Sequence, residues 1–360
     1  MLSLAGLFLL LAGGLLLLNW TLDPLQFYRK ANYPPHWTEQ RRYQNPAIAR
    51  TYEYSAVVIG TSVSQPLSRD RFREAFGFET INFAMEGSSA HGQRLMLDCA
   101  LRSKKGNTRV QQVFMELNYL SLRGTPDWIS SYDGKFPAYL YDSNEWNDIP
   151  HYLLNLDTTK SSVKIILSRL GLRSYPNKTL DDLVWRPTRP YGRQSVEKGW
   201  QRASSRRAMW DTRMPELTIA QLNASFEENI YSALQQNPDV EFYLYFPPFS
   251  IVLYDFLNSL SPEIAEVIIQ NRQHVFDRVQ QMPNVKLFDF QSVVQVISAL
   301  EEYCDPIHYG PEVANYMIDS MQRGDHLASQ VGLDEFRSWM LLPEPFSQKL
   351  QLAGWLQPAK

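Results

Sequence analysis

The sequence predicts an α/β protein built on a central, mostly parallel five-stranded sheet, with a large insertion and an N-terminal transmembrane helix. Three observations carry that expectation. Residues 55–117 alternate short β-branched or aromatic runs with helical stretches, the same alternation resumes between 218 and 322, and the first eighteen residues carry no charge. Strand and helix alternating at this spacing argue for parallel strands joined by right-handed crossovers. A chain of 360 residues, 44% hydrophobic and 20% charged, is long and apolar enough to bury a substantial core. Its formal net charge of −3 excludes a generally basic nucleic-acid binder. Two cysteines exclude a disulfide-stapled scaffold and a four-cysteine zinc site.

The elements follow in order. Met1 to Leu18 is apolar on every face and spans about 27 Å as a helix, close to the hydrocarbon thickness of a bilayer. Asn19 and Trp20 follow it, and tryptophan suits the membrane–water boundary. No small-x-small cleavage site follows Leu18, so residues 1–20 read as an uncleaved anchor. Arg29, Lys30, Arg41 and Arg42 lie after the segment and no basic residue lies before it, which by the positive-inside rule puts the body in the cytoplasm.

Residues 21–54 show no clear period and read as a linker. Ala56–Ile59, ended by Gly60, reads as a buried strand, and Leu67–Phe76 as a helix. Thr80–Met85 is a second strand, Gln93–Ser103 a helix and Val110–Leu117 a third strand. An insertion at about 120–216, rich in tryptophan and loops, interrupts the pattern, with Ser161–Leu170 as one of its helical pieces. Alternation resumes with a helix over Thr218–Gln236, the strand Glu241–Phe246, a helix over Pro262–Gln281, the strand Val285–Phe290 and a helix over Pro311–Gln322. Residues 328–360 form a tail.

Two short segments carry chemistry. Gly60-Thr61-Ser62 falls where the first strand ends, at the sheet edge where such folds place ligands. There the hydroxyl of Ser62 can act as a nucleophile, although Gly-Thr-Ser is also an ordinary turn with an N-cap. Asp305-Pro-Ile-His308 precedes a helix opened by Pro311, and its spacing lets a carboxylate orient an imidazole. The same pair also suits the capping of a helix start. A serine after the first strand and Asp-x-x-His after the last is the chain order of a Ser-His-Asp hydrolase.

This pairing resembles the SGNH (GDSL-like) hydrolase superfamily over roughly residues 55–122 and 217–323. Val58-Ile-Gly-Thr-Ser62 is similar to the block that bears the nucleophile. Asn82-Phe-Ala-Met-Glu-Gly87 is similar to the second block, whose glycine N–H joins the oxyanion hole. Glu116-Leu-Asn118 falls where the third block supplies an asparagine, and Asp305-Pro-Ile-His308-Tyr309 is similar to the block supplying Asp and His. Thr61 stands where the family has Asp after the first glycine, and Glu-Leu-Asn-Tyr where it has Gly-x-Asn-Asp. The resemblance implies a three-layer α/β/α core spanning 55–327, no cofactor, Ser62, His308 and Asp305 as the triad, and the oxyanion held by Ser62, Gly87 and Asn118.

The single anchor, the loose blocks and the large insertion are more similar to the subgroup that includes teichoic-acid D-alanyl-transfer and alginate-acetylation proteins. That subgroup acts outside the cytoplasmic membrane, often beside a membrane-bound O-acyltransferase. It implies a periplasmic body, against the flanking charges. The expected activity is acyl transfer or ester hydrolysis on a cell-envelope glycan. A non-catalytic envelope assembly protein, holding glycan or the acyltransferase partner, is the alternative.

One stretch of the insertion has its own chemistry. From Arg186 to Arg213 eight basic residues face two acidic ones, a formal +6, interleaved with Trp185, Trp200 and Trp210. Arg202, Arg206, Arg207 and Trp200 are candidates for contact with an anionic glycan or an anionic surface, since aromatic faces stack on sugars and arginines pair with phosphate or carboxylate. A solvated basic loop with core tryptophans fits equally well. His91 reads as lining the Ser62 cleft or sitting in a first helical turn, and Cys99 and Cys304 as two buried thiols or, in an oxidising compartment, a disulfide pair. No metal-ligand spacing is present.

Overall fold

β-branched and aromatic residues on both faces of a strand favour parallel pairing under helices, and the five central segments have that composition. The computed structural model describes residues 4–35, 37–104, 106, 109–131, 135–142, 149–174, 178–183, 187, 189–205, 217–341 and 348. Its strands are β1 (Ala56–Ile59), β2 (Thr80–Asn82), β3 (Gln112–Glu116), β4 (Glu241–Phe246) and β5 (Val285–Asp289). The longer helices are α1 (Leu4–Leu22), α2 (Arg41–Thr51), α3 (Arg69–Phe76), α4 (Ala90–Ser103), α5 (Leu156–Arg169), α6 (Arg193–Ser205), α7 (Ile219–Phe226), α8 (Ile251–Leu260), α9 (Pro262–Val279), α10 (Pro311–Arg323) and α11 (Gln330–Met340).

The chain divides into two compact units. One contains residues 54–94, 110–132 and 185–360. All five strands belong to it and pair in parallel in the order β2-β1-β3-β4-β5. β1 and β3 are buried along their whole length. An aromatic row crosses the sheet, with Phe114 of β3 stacked on Tyr243 of β4 at 4.7 Å and Tyr243 stacked on Phe288 of β5 at 6.0 Å. Phe72 and Phe76 of α3 close on Phe114 at 4.5 and 5.2 Å, and α10 lies beside α3, joined by Arg71 Nε donating to Asp319 at 2.8 Å.

β1 sits between β2 and β3, so the chain leaves β1 in one direction and later strands are added in the other. That reversal opens a crevice at the carboxyl ends of β1 and β3, the usual ligand position in open parallel sheets.

The other unit contains residues 1–53, 95–109 and 133–184. Its α1 is long and apolar enough to cross a membrane, with a mean hydropathy of 1.9, and Leu4, Leu7, Leu9, Leu10, Leu11 and Leu17 are exposed. Asn19, near the end of α1, is fully buried. Past it, Asp23 turns the chain by accepting the N–H groups of Phe27, Tyr28 and Arg29 at 2.8–3.0 Å and the Tyr152 hydroxyl at 2.8 Å.

Several element boundaries differ from those expected. Residues 21–54 include α2, with buried Arg41, Arg42, Gln44 and Asn45, and helix formation there follows from tertiary burial and not from an apolar period. Ser62–Ser64 form a short 3₁₀ turn ahead of α3. The helix expected over Thr218–Gln236 widens into a π-helical turn at Glu227–Tyr231. The tail includes α11, whose Ser329 N-cap accepts from Gly332 N.

Candidate active site

The crevice at the end of β1 is built by a turn that Thr61 begins. Thr61 is extended and its hydroxyl accepts the N–H of Val63, which caps the 3₁₀ turn and leaves Ser62 half-buried at the sheet edge. No hydrogen bond is formed by the Ser62 N–H among the described residues.

Beyond α8 and β5, residues 303–309 form a tight loop. Tyr303 and Tyr309 bridge antiparallel, Cys304 N–H donates to His308 O at 3.0 Å, and Ser250 fixes Pro306 O from its N–H at 3.0 Å and its hydroxyl at 2.8 Å. Within that loop one oxygen of Asp305 accepts the N–H groups of Ile307 and His308, both at 2.9 Å. Its two oxygens lie 3.0 and 2.9 Å from His308 Nδ1. The other ring nitrogen, Nε2, is 2.9 Å from Ser62 Oγ. Asp305 therefore caps the turn at Ile307–His308 and lies against the imidazole at once, whereas the helix start at Pro311 is left without a side-chain cap.

Burial by itself pushes the Asp305 carboxyl up, but the hydrogen bond and charge of His308 and the two backbone N–H groups outweigh it, leaving the group below its usual value of 3.8. Arg189 adds a guanidinium nitrogen 3.5 Å from Asp305 Oδ2. With Asp305 on Nδ1, Nε2 is the nitrogen that faces the Ser62 hydroxyl.

A second carboxylate organises the serine turn, and sequence reasoning passed over it. Glu116, the last residue of β3, is fully buried. It accepts Thr61 N–H at 2.8 Å, Thr61 Oγ1 at 2.8 Å, the amide of Asn118 at 3.0 Å and the hydroxyl of Ser64. Tyr245 donates to Ser64 at 2.7 Å behind them. The signal was an acid ending a strand whose centre, Val113–Met115, is apolar, at the carboxyl edge of the sheet. Thr61 gives its hydroxyl hydrogen to this carboxylate.

Gly87 lies in the turn after β2 with φ +56, the left-handed region that suits glycine. That turn is tied to the serine segment by Met85 N–H to Gly60 O at 3.0 Å and by Gln65 Nε2 to Glu86 at 2.6 Å. The N–H of Gly87 makes no hydrogen bond among the described residues. Asn118 caps the next short helix through Oδ1, accepting from Leu120 N at 2.9 Å, and gives one amide hydrogen to Glu116, which leaves its second amide hydrogen.

α6 carries the described part of the basic segment to the Asp305 loop. A Cβ on Gly199 would lie 2.6 Å from Pro306 Cδ and 3.2 Å from Asp305 Cβ, so only glycine permits this approach. Beside it a pocket of 260 Å³ is lined by Arg189, Trp200, Arg202, Leu253, Phe256 and Ile307, with Asp305 on its wall. Arg206 and Arg207 lie outside the described residues. A larger cavity of 850 Å³ belongs to the other unit, against Trp37, Tyr139 and Lys178, and holds none of these groups.

His91 is the second residue of α4, with Nδ1 3.1 Å from Asn229 Oδ1. Cys304 is a free buried thiol pushed up to about 12 by burial and the Asp305 charge, and Cys99 is likewise free and raised by burial.

Compared with known proteins, the chain matches no family model, no curated protein and no solved structure. Its site is therefore read from its own geometry.

Proposed function

We propose that this chain is a membrane-anchored, SGNH-like serine acyltransferase or esterase acting on ester-linked acyl groups of a cell-envelope glycan. The observation that carries the reading is the continuous relay from Ser62 Oγ through His308 to Asp305, with 2.9 Å at each side of the ring. Ser62 Oγ attacks the acyl carbonyl while His308 Nε2 takes its proton, and the imidazolium is stabilised by Asp305. The N–H groups of Ser62 and Gly87, with the Asn118 amide, donate to the developing oxyanion. Collapse of that intermediate expels the alcohol, protonated by His308, and leaves an acyl-serine. In the second half His308 deprotonates water or a sugar hydroxyl, which attacks the acyl-serine and restores Ser62.

The pocket bounded by Arg189, Trp200 and Arg202 supports an anionic, sugar-bearing substrate, because a guanidinium pairs with carboxylate or phosphate and an indole stacks on a sugar face. α1 supports attachment to a membrane. The periplasmic side for the body and a membrane-bound O-acyltransferase as partner rest on the resemblance of the sequence blocks alone. The full chain, incubated with a serine-directed fluorophosphonate and a chromogenic acetyl ester, tests the reading. Labelling and turnover that vanish in Ser62→Ala support it. A folded wild-type protein that neither labels nor turns over favours a glycan-holding assembly role.

A further inference from the structure

We propose that α5 is a second membrane contact, resting its exposed apolar stripe on the bilayer that α1 enters. The inference builds on the reading of α1 as a membrane anchor. Three independent features of this unit point to it.

The first is position. Asn19 lies three residues before the end of α1, about 4–5 Å along its axis and so at the boundary of the hydrocarbon layer when α1 spans it. Its side chain is fully buried against the α5 region, donating to Leu153 O at 2.7 Å and to Thr159 Oγ1 at 2.9 Å, and accepting from Ser162 Oγ at 2.8 Å. These bonds tie α5 to the end of the anchor, at headgroup depth. Trp20, half-exposed beneath the Arg29 guanidinium at 4.2 Å, marks the same level.

The second is the face that α5 leaves open. Thr158, Ser162 and Ile165 are buried on one side. About 100° per residue places Leu156, Val163 and Leu170 together on the opposite side, where they are 73%, 42% and 66% exposed. Leu172, just past the helix, is 70% exposed as well. Large aliphatic side chains lined up in this way in water are uncommon on a soluble surface.

The third is charge. Residues 156–173 contain Lys160, Lys164, Arg169 and Arg173 against Asp157 alone, a formal +3. The stripe of leucines with lysines alongside is the pattern of a helix lying in the interface of an anionic membrane. Continuity with α1 makes the bilayer the occupant of this face, because lipid already surrounds the adjoining leucines of the anchor.

The test uses the full chain in nanodiscs of mixed neutral and anionic phospholipid. An environment-sensitive fluorophore is placed singly at Leu156→Cys, Val163→Cys or Leu170→Cys, at Ser168→Cys off the stripe, and at Leu10→Cys within α1. Native Cys99 and Cys304 are buried. The three stripe labels should emit at shorter wavelength and be quenched by lipids with a shallow nitroxide roughly twofold more than by aqueous iodide. The Ser168 label should show the reverse preference, and the Leu10 label should respond to a deep nitroxide. A Leu10 label quenched by iodide defeats the anchor reading itself. A deep Leu10 label with stripe labels open to iodide overturns the α5 proposal alone. Stripe labels shielded in native membranes but open to iodide in the nanodiscs also overturn it, since a protein then covers the face.

Discussion

The carboxylate of Glu116, buried at the end of β3, holds both the backbone N–H and the hydroxyl of Thr61 at 2.8 Å. The next residue along the chain is Ser62, so the direction of its hydroxyl and of its N–H depends on a neighbouring strand. Gly60 makes the approach possible, because a Cβ there would lie 2.7 Å from Glu116 Oε2. Three residues at the ends of two adjacent strands thus fix one hydroxyl.

Glu116→Gln tests that dependence. Both carboxylate oxygens accept donors, and glutamine turns an NH₂ toward some of them, leaving buried donors unpaired at a cost of about 1–3 kcal/mol. We expect a lower midpoint of chemical denaturation and a rate of fluorophosphonate labelling reduced about 10–100-fold, as misplacement of a nucleophile by an ångström implies. Labelling at the wild-type rate in the folded variant would show that the turn holds Ser62 without Glu116.

Asp305 has a pH signature. Folding lowers its carboxyl below the ordinary 3.8, so the stability it adds is fully present above that value and is lost as the pH falls through the folded value. Asp305→Asn has no such term. The gap in unfolding free energy between wild type and variant should narrow as the pH falls below about 3.8. A gap that stays constant down to acid denaturation would mean that Asp305 is not held by His308 and the loop N–H groups.

What the sequence disclosed follows from which residues act locally. β1 and β4 were legible because a strand buried on both faces is apolar over most of its length, and Ala56–Ile59 or Phe242–Phe246 admits little else. β3 and β5 carry polar residues among apolar ones, and were legible from the apolar runs Val113–Met115 and Leu287–Phe288. Ser62, Asp305 and His308 were legible from their places at strand and helix ends. Glu116 was not, because an acid at a strand end also describes a solvated edge, and only the partners Thr61, Ser64 and Asn118 distinguish the two. α2 stayed hidden for a similar reason. Its Arg41, Arg42 and Pro46 break any apolar stripe, and burial by residues distant in the chain supplies the helix. Gly199 carried no local signal at all, since its reason is the Pro306 ring across the gap.

Gly199→Ala makes that contact measurable. The added methyl would sit 2.6 Å from Pro306 Cδ and 3.2 Å from Asp305 Cβ, and the proline ring is pinned by Ser250 through its carbonyl. Alanine favours the helix, yet overpacking at such a site costs about 1–3 kcal/mol. The loop or α6 must move, and Asp305 moves with the loop. We expect kcat for a small acetyl ester to fall at least about tenfold, with a denaturation midpoint shifted modestly. Unchanged kcat would show that α6 yields and the Asp305 loop does not.

The pocket beside Asp305 separates substrate recognition from the chemical step. Arg202 and Trp200 line it, whereas Ser62 and His308 are not among its lining residues, so a small neutral ester does not need them. An anionic glycan ester that reaches the pocket gains a charge-assisted hydrogen bond from Arg202 and a stacking surface from Trp200, each worth about 1–2 kcal/mol. Arg202→Ala and Trp200→Ala should therefore raise KM for an acylated anionic polysaccharide about tenfold each. Turnover of the chromogenic acetyl ester and fluorophosphonate labelling should stay within about twofold of wild type. Added salt should erode the Arg202 contribution and spare that of Trp200, because an exposed guanidinium is screened and an indole face is not. Equal losses on both substrates would place these side chains in support of the Asp305 loop instead of the glycan.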